Sequence, residues 1–370
     1  MRHLSLLWLG LTTLVAAEPT LTLRSPRPDQ VWQREDKAGA TLMVEGELRT
    51  DGADKARLEF RLDGGAWQEL TGCWDQSKDG KNFSGTTRIP AGRHELEVRM
   101  AGDQATKPSA RVRFGVGEVF VVTGQSNSAN HGEVRQQATS DEVFTLTPAG
   151  EWRRCADPQP GASGSGGSFL PALGDELRRR LGVPIGFIAC GIGATSVREW
   201  LPSGVPFPNP PSIVSRVRKT ADGAWESDGK AYAMLITRMK SVPAFRAVLW
   251  HQGESDAKQK DPTRTLGGEA YARLLTQLIV SSRQDSGRQA PWFVAQVSYH
   301  SPADTGCPDI RGAQAGLWKK GLALEGPDSD ALGGANRDHA GKGIHFSGEG
   351  LKAHARAWAE KVVPWIEGRP

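Results

Sequence analysis

The sequence predicts an α/β protein in which a parallel sheet carries helices on both faces and is preceded by a smaller β-rich region. Three observations carry that expectation. The 370 residues are more than one compact core usually organises. From Thr20 to about Phe114 apolar residues recur with a period of two, the mark of half-buried strands. Beyond Gly117 short continuous apolar runs alternate with helical segments, which implies parallel strands buried on both faces.

In chain order, residues 1–17 read as a secretory signal peptide. Arg2 and His3 precede the apolar run Leu4 to Val15, and Val15-Ala16-Ala17 supplies small residues for cleavage. A membrane span needs about 20 apolar residues, and this run is shorter, so no membrane insertion is expected after cleavage. The expected location is secreted or periplasmic. Residues 18–115 are expected to form a small Ig-like β-sandwich: Leu58, Phe60 and Leu62 alternate with charged neighbours, as do Leu96, Val98 and Met100, and Asp63-Gly64-Gly65 and Pro90-Ala91-Gly92 mark turns. This unit is read as a packing module, with sugar stacking on Trp67 or Trp74 as the functional alternative.

Residues 116–370 form the second expected domain. Val119 to Val122, Pro184 to Ala189, Ala247 to Trp250 and Trp292 to Val297 are its strands. Leu173 to Leu181, Ala231 to Met239, Ala270 to Ser281, Ile310 to Gly321 and Gly350 to Trp365 are its helices, the last capped by Ser347. Gly161 to Gly167 reads as flexible linkage, because no Lys stands in a phosphate-loop arrangement.

Charge excludes one partner class. Lys+Arg of 46 against Asp+Glu of 42 leaves +4, with no basic run that would track nucleic acid. Cys73, Cys155, Cys190 and Cys307 are spaced too widely for a Cys-x-x-Cys metal or redox site; in an oxidising compartment they allow three full pairings, with buried free thiols as the alternative.

Ligands of open α/β sheets sit at the carboxyl ends of the strands. The first strand there ends in Thr123-Gly124-Gln125-Ser126-Asn127, a serine on a tight turn. The second runs into Cys190-Gly191-Ile192-Gly193-Ala194-Thr195-Ser196, and the third into His251-Gln252-Gly253-Glu254-Ser255-Asp256. Acyl transfer needs such convergence of a hydroxyl, donors for an oxyanion, and a base. Singly, each serine or glycine is an ordinary turn residue.

Taken as ordered blocks, Gly124-Gln125-Ser126-Asn127, Gly193-Ala194-Thr195 with Trp200, Trp250-His251-Gln252-Gly253-Glu254-Ser255-Asp256 and Ile344-His345-Phe346-Ser347 resemble the sialate O-acetylesterase and acetylxylan esterase branch of the SGNH hydrolases, roughly from Gly117 to Trp365. The lead-in Gly117-Glu118-Val119-Phe120 is similar as well. The resemblance implies a flavodoxin-like, three-layer SGNH hydrolase domain, no metal or other cofactor, and an acetylated carbohydrate as substrate. Carried over by position, Ser126 is the nucleophile and His345 its base. The oxyanion donors are the N–H groups of Ser126 and Gly193 and the side chain of Gln252. Ala194 stands where relatives often have Gly, which leaves the second donor's register open by one residue.

Many relatives place Asp three residues before the histidine, where this chain has Lys342. A Lys cannot accept the imidazole N–H. Glu254 is the first choice for the acid, on the expectation that it shares Gln252's side of the loop, and Asp338 is the second. Gln125, Asn127, Arg198 and Trp200 are substrate-binding candidates. Among the remaining histidines, alternation should aim His251 away from Gln252, His354 should sit on the polar side of the last helix, and His131, His300 and His339 are loop residues.

The expected function is a secreted serine esterase removing O-acetyl groups from carbohydrate. The alternatives are a non-catalytic carbohydrate-binding protein, motivated by the missing Asp, and an esterase or lipase acting on non-carbohydrate esters.

Overall fold

The computed structural model describes residues 20–49, 57–75, 81–102 and 109–368; the expected signal peptide lies outside the described residues. The chain divides into two compact units. One comprises the described residues of Met1–Ser25, Met43–Thr87 and Leu96–Arg111, the other those of Pro26–Leu42, Arg88–Glu95 and Val112–Pro370.

The first nine elements are strands: β1 (Thr20–Ser25), β2 (Val31–Gln33), β3 (Gly39–Arg49), β4 (Leu58–Leu62), β5 (Gln68–Glu69), β6 (Gly72–Asp75), β7 (Lys81–Pro90), β8 (Gly92–Met100) and the long β9 (Ser109–Gly124). In the first unit β1, β3, β7 and β6 form one sheet, and β4 pairs antiparallel with β8 from Leu58↔Met100 to Leu62↔Leu96. Leu58, Phe60, Leu96 and Val98 are buried, as their period of two requires. The guanidinium groups of Arg99 and Arg61 lie over the Trp67 ring, 3.8 and 4.6 Å from its centroid, so the ring already carries two cation–π contacts. The side chains of Cys73 and Trp74 lie outside the described residues.

The second unit is built on β10 (Val143–Leu146), β11 (Trp152–Arg154), β12 (Ile185–Ala189), β16 (Ala247–His251), β17 (Trp292–Gln296) and β18 (Leu324–Asp328). A small sheet of β13 (Pro206–Phe207), β14 (Val217–Lys219) and β15 (Trp225–Ser227) lies outside that path. The sheet order is β11-β10-β12-β9-β16-β17-β18, parallel throughout except for β11 at the edge. Its helices are α1 (Leu170–Leu181), α2 (Lys230–Lys240), α3 (Gly268–Ser286), α4 (Pro308–Lys319) and the C-terminal helix Gly348–Glu367. Alternation along β9 sorts the core in two. Val119 and Val121 pack with residues of α2, α3 and α4, whereas Phe120 and Val122 pack with α1 and the C-terminal helix. Helices therefore cover both faces of a large mixed sheet.

The sequence did not announce β10, β11, β18 or the small sheet. Leu324-Glu325-Gly326-Pro327-Asp328 has no apolar run; β18 pairs only at the sheet edge, where one neighbour suffices.

Two buried polar groups underlie the sheet and its last helix. Glu118 is fully buried and accepts from Arg34 Nε at 2.7 Å, Arg246 Nε at 2.6 Å and Gln33 Nε2 at 2.9 Å. His354 is buried too, not on the polar side as expected. It stands four residues before Trp358 on the apolar stripe of Leu351, Ala355, Val362 and Ile366, and its Nε2 accepts from the Trp358 indole N–H at 3.0 Å. Cys155, Cys190 and Cys307 are buried free thiols.

Among the described residues no helix is long and apolar enough to cross a membrane, and no group of three or more His, Cys, Asp or Glu could hold a metal ion.

Candidate active site

The site grows from the carboxyl ends of β9, β12 and β16. β9 stops at Gly124, whose φ of +127° suits glycine and whose Cβ, if present, would stand 2.1 Å from the His251 carbonyl oxygen. Gln125 N–H donates to that carbonyl, and Ser126–Ser128 forms a single 3₁₀ turn. The turn presents Ser126 to a cavity of about 540 Å³ that His345, Gln125, Glu254, Ala194 and His131 also line. Ser126 is 5% exposed, and its hydroxyl and its N–H make no hydrogen bond to any of the described residues.

His345 reaches this cavity on the loop after β18. The loop is unusual: His339, Ala340 and Gly341 have φ of +50°, +56° and +85° in succession. Left-handed backbone costs a residue with a Cβ roughly 1–2 kcal/mol, so surrounding contacts must hold it. Asp338 N–H donates to the His345 carbonyl at 2.9 Å, and His345 N–H donates to Asp338 Oδ1 at 3.2 Å. The same carboxylate stands 3.6 Å from His345 Nδ1, an ion-pair distance somewhat longer than a hydrogen bond. Arg337, buried between the rings of Tyr299 and Phe346, anchors the loop by donating to the carbonyls of Leu332, Ser329 and Ile344.

Of the two acids considered, Asp338 therefore faces the base. Glu254 lines the cavity but makes neither a hydrogen bond nor an ion pair with His345; its Oε1 accepts from Asn127 Nδ2 at 3.0 Å and its Oε2 has no hydrogen-bond partner among the described residues. Burial pushes the Glu254 carboxyl up to about 7. Burial also holds His345 below the ordinary histidine value, partly offset by the Asp338 charge.

Several expected roles fall elsewhere. Gln252 is fully buried, and its Nε2 donates to Asp256 Oδ2 at 2.7 Å and to the Thr195 carbonyl at 3.1 Å, so its amide is not offered to the cavity. Gly193 lines the cavity, but its N–H donates to Ser163 Oγ at 2.7 Å. Asn127 braces two loops, with Nδ2 shared between Glu254 and the Ile344 carbonyl, rather than facing a substrate. Arg198 is buried against Asp256 and donates to the carbonyls of Asn209, Pro210 and Arg264. Trp200 is core, its indole N–H on Thr195 Oγ1 and its ring edge-on to Trp250. His251 does point away, onto Ser329 Oγ at 2.9 Å.

Gln125 keeps a place at the cavity. Its Oε1 accepts from the backbone N–H groups of Gly253 and Ser255 and from Gln252, which fixes the amide's orientation and leaves Nε2 without a partner.

Other lining residues had no role assigned from the sequence. His131 stacks on His345, ring centroids 5.5 Å apart, and its Nε2 lies 3.1 Å from Ser163 Oγ. Arg216 Nη1 donates to the Gly193 carbonyl. His300 bridges Asp304 Oδ2 and the Glu254 carbonyl. The segment Gly161 to Gly167, expected to be flexible, is instead bonded to the nucleophile loop through Asn130 and Gly132, which is how Ser163 arrives. In the sequence His131 and His300 stood only as loop histidines, and Arg216 and Ser163 carried no signal.

Residues 116–363 match the family model described as carbohydrate esterase, sialic acid-specific acetylesterase. A protein of Arabidopsis thaliana named as a probable carbohydrate esterase is 22% identical over 203 residues, 48% of this chain and 68% of that protein. Among solved structures, a carbohydrate acetylesterase from Xanthomonas citri matches 95% of this chain and 76% of its own at 19% identity, with a TM-score of 0.55. That last likeness is one of fold.

Proposed function

We propose that this chain, which belongs to the sialic acid-specific acetylesterase family of carbohydrate esterases and is therefore a carboxylic ester hydrolase, removes O-acetyl groups from carbohydrate through an acyl-enzyme on Ser126. The observation that carries the reading is the arrangement of one cavity: a serine at a strand end whose hydroxyl bonds none of the described residues, a histidine lining the same space, and a carboxylate 3.6 Å from that histidine's Nδ1.

In the first half-reaction the Ser126 oxygen attacks the acetyl carbonyl while His345 Nε2 takes the hydroxyl proton. Asp338, whose carboxylate faces Nδ1–H, favours that tautomer and stabilises the imidazolium that forms. The Ser126 N–H faces the developing oxyanion, and the Gln125 amide at the cavity wall is placed to bond the substrate. His345 returns its proton to the sugar oxygen as the C–O bond breaks. Water then attacks the acetyl-enzyme with His345 as base again, releasing acetate. General-base assistance of this kind is worth about 10²- to 10⁴-fold.

The finer identity rests on the same footing. The N-terminal strands are read as a β-sandwich and the remainder as an SGNH-type hydrolase domain, and the run from Leu4 to Val15 supports export by a signal peptide.

The test is acetate release from an acetylated oligosaccharide by purified Ser126→Ala, with folding checked by circular dichroism. A fall of at least about 10³-fold is expected, since removing a nucleophile leaves only binding and oxyanion stabilisation. A folded variant with wild-type turnover sinks the mechanism.

A further inference from the structure

The backbone beside Ser126 shows which peptide group can meet the oxyanion. Gly193 N–H is spent on Ser163 Oγ at 2.7 Å, whereas Ala194, which lines the same cavity, donates its N–H to none of the described residues. The carbonyl of the Gly193–Ala194 peptide accepts from Arg216 Nη1 at 2.9 Å. In a planar trans peptide the N–H points opposite to the carbonyl, so Arg216 also fixes the direction of the Ala194 N–H. Ala194 holds φ of +57°, a conformation that favours glycine and persists here under outside restraint.

The restraint is Ser163. Its N–H donates to the Gly191 carbonyl and its own carbonyl accepts from Asn130, each at 2.9 Å, so it is clamped between the nucleophile loop and the loop after β12. His131 Nε2 lies 3.1 Å from its hydroxyl. A Cβ on Gly193 would stand 2.6 Å from that nitrogen, so glycine is what lets the His131 ring come close.

Resting on the reading of Ser126 as nucleophile, we propose that the second oxyanion donor is the backbone N–H of Ala194, and that Ser163, supported by His131, is the positioning residue that assigns this task by taking the N–H of Gly193 out of the cavity.

The decisive experiment replaces single amides by esters in the full chain, using the α-hydroxy analogue of alanine at position 194 and that of glycine at position 193. Each removes one N–H and leaves the side chain unaltered. At position 194 kcat on an activated acetyl ester should fall about 10²- to 10³-fold with KM little changed, the usual cost of losing an oxyanion donor. At position 193 the fall should stay under about tenfold. Arg216→Ala, assayed alongside, measures the part due to the weaker ester carbonyl. Ser163→Ala should lower kcat at constant KM, and Ser163→Thr, which keeps the hydroxyl, should restore it.

A large loss at 193 with a small one at 194, or small losses at both, overturns the assignment. Unchanged kcat in Ser163→Ala overturns the positioning role. Wild-type turnover in Ser126→Ala is a separate result and refutes the nucleophile itself.

Discussion

Asp338 and Glu254 are two carboxyl groups near one histidine, and their surroundings give them different work. Asp338 bonds the backbone of His345 and faces its Nδ1, so Asp338→Asn should lower kcat about 10²- to 10⁴-fold in a pH-rate series, having lost the anion that fixes the tautomer. Glu254→Gln should instead act on stability. The folded carboxyl titrates at about 7 against an ordinary 4.5, so the stability it contributes is whole below 4.5 and is lost as pH rises through 7. The variant should melt above wild type at pH 8 and close to it at pH 5; equal shifts at both values would mean that the Glu254 carboxyl does not titrate between them. Because burial lowers His345, the acid limb of kcat/KM should fall below 6.5. Ser126 and His345 were legible in the sequence because the order of blocks names them. Gln252, Arg198 and Trp200 were not: their types suit a polar, aromatic site equally well, and nothing in a motif tells that Asp256 and Thr195 have already claimed their hydrogen-bonding groups.

At the scale of elements, the strands and helices that carry a continuous apolar run or a helical stripe were readable, and β9, β12, β16, β17 and the C-terminal helix lie where their patterns put them. Loops were not. Gly161 to Gly167 looked like a linker because its composition is small and polar, yet those small residues let it pack backbone to backbone on Asn130 and Gly132. The loop from Arg337 to His345 shows how tightly such segments can be specified. A Cβ on Gly343 would lie 1.7 Å from Asp338 Oδ1. Gly343→Ala should therefore displace the carboxylate and lower kcat at least about tenfold while the thermal midpoint moves by only a few degrees. Unchanged kcat would show that the carboxylate's position is not critical.

Over the whole molecule, buried charge and buried imidazole set the working range. Glu118 holds two arginines beneath the sheet, and breaking a buried cluster of this kind costs roughly 3–5 kcal/mol. Burial lowers His251 to about 3, and lowers His354 well below its ordinary value through burial and the neighbouring His251. Both therefore contribute stability that is whole above 6.5, the unfolded value, and is lost as pH falls below it. Urea unfolding between pH 6.5 and 4, in the Glu254→Gln background that removes the opposing titration, should weaken by at most about 1.4 kcal/mol per pH unit for each histidine. A flat profile would mean that neither ring stays neutral. The bond from Trp358 to His354 makes one step of this visible. An indole proton held on a bare imidazole nitrogen resonates apart from those bonded to oxygen or water, and it must lose its acceptor when His354 gains a proton. That single indole signal in a proton spectrum would report the onset of acid unfolding from inside the core, before any change in the bulk of the chain's twelve tryptophans.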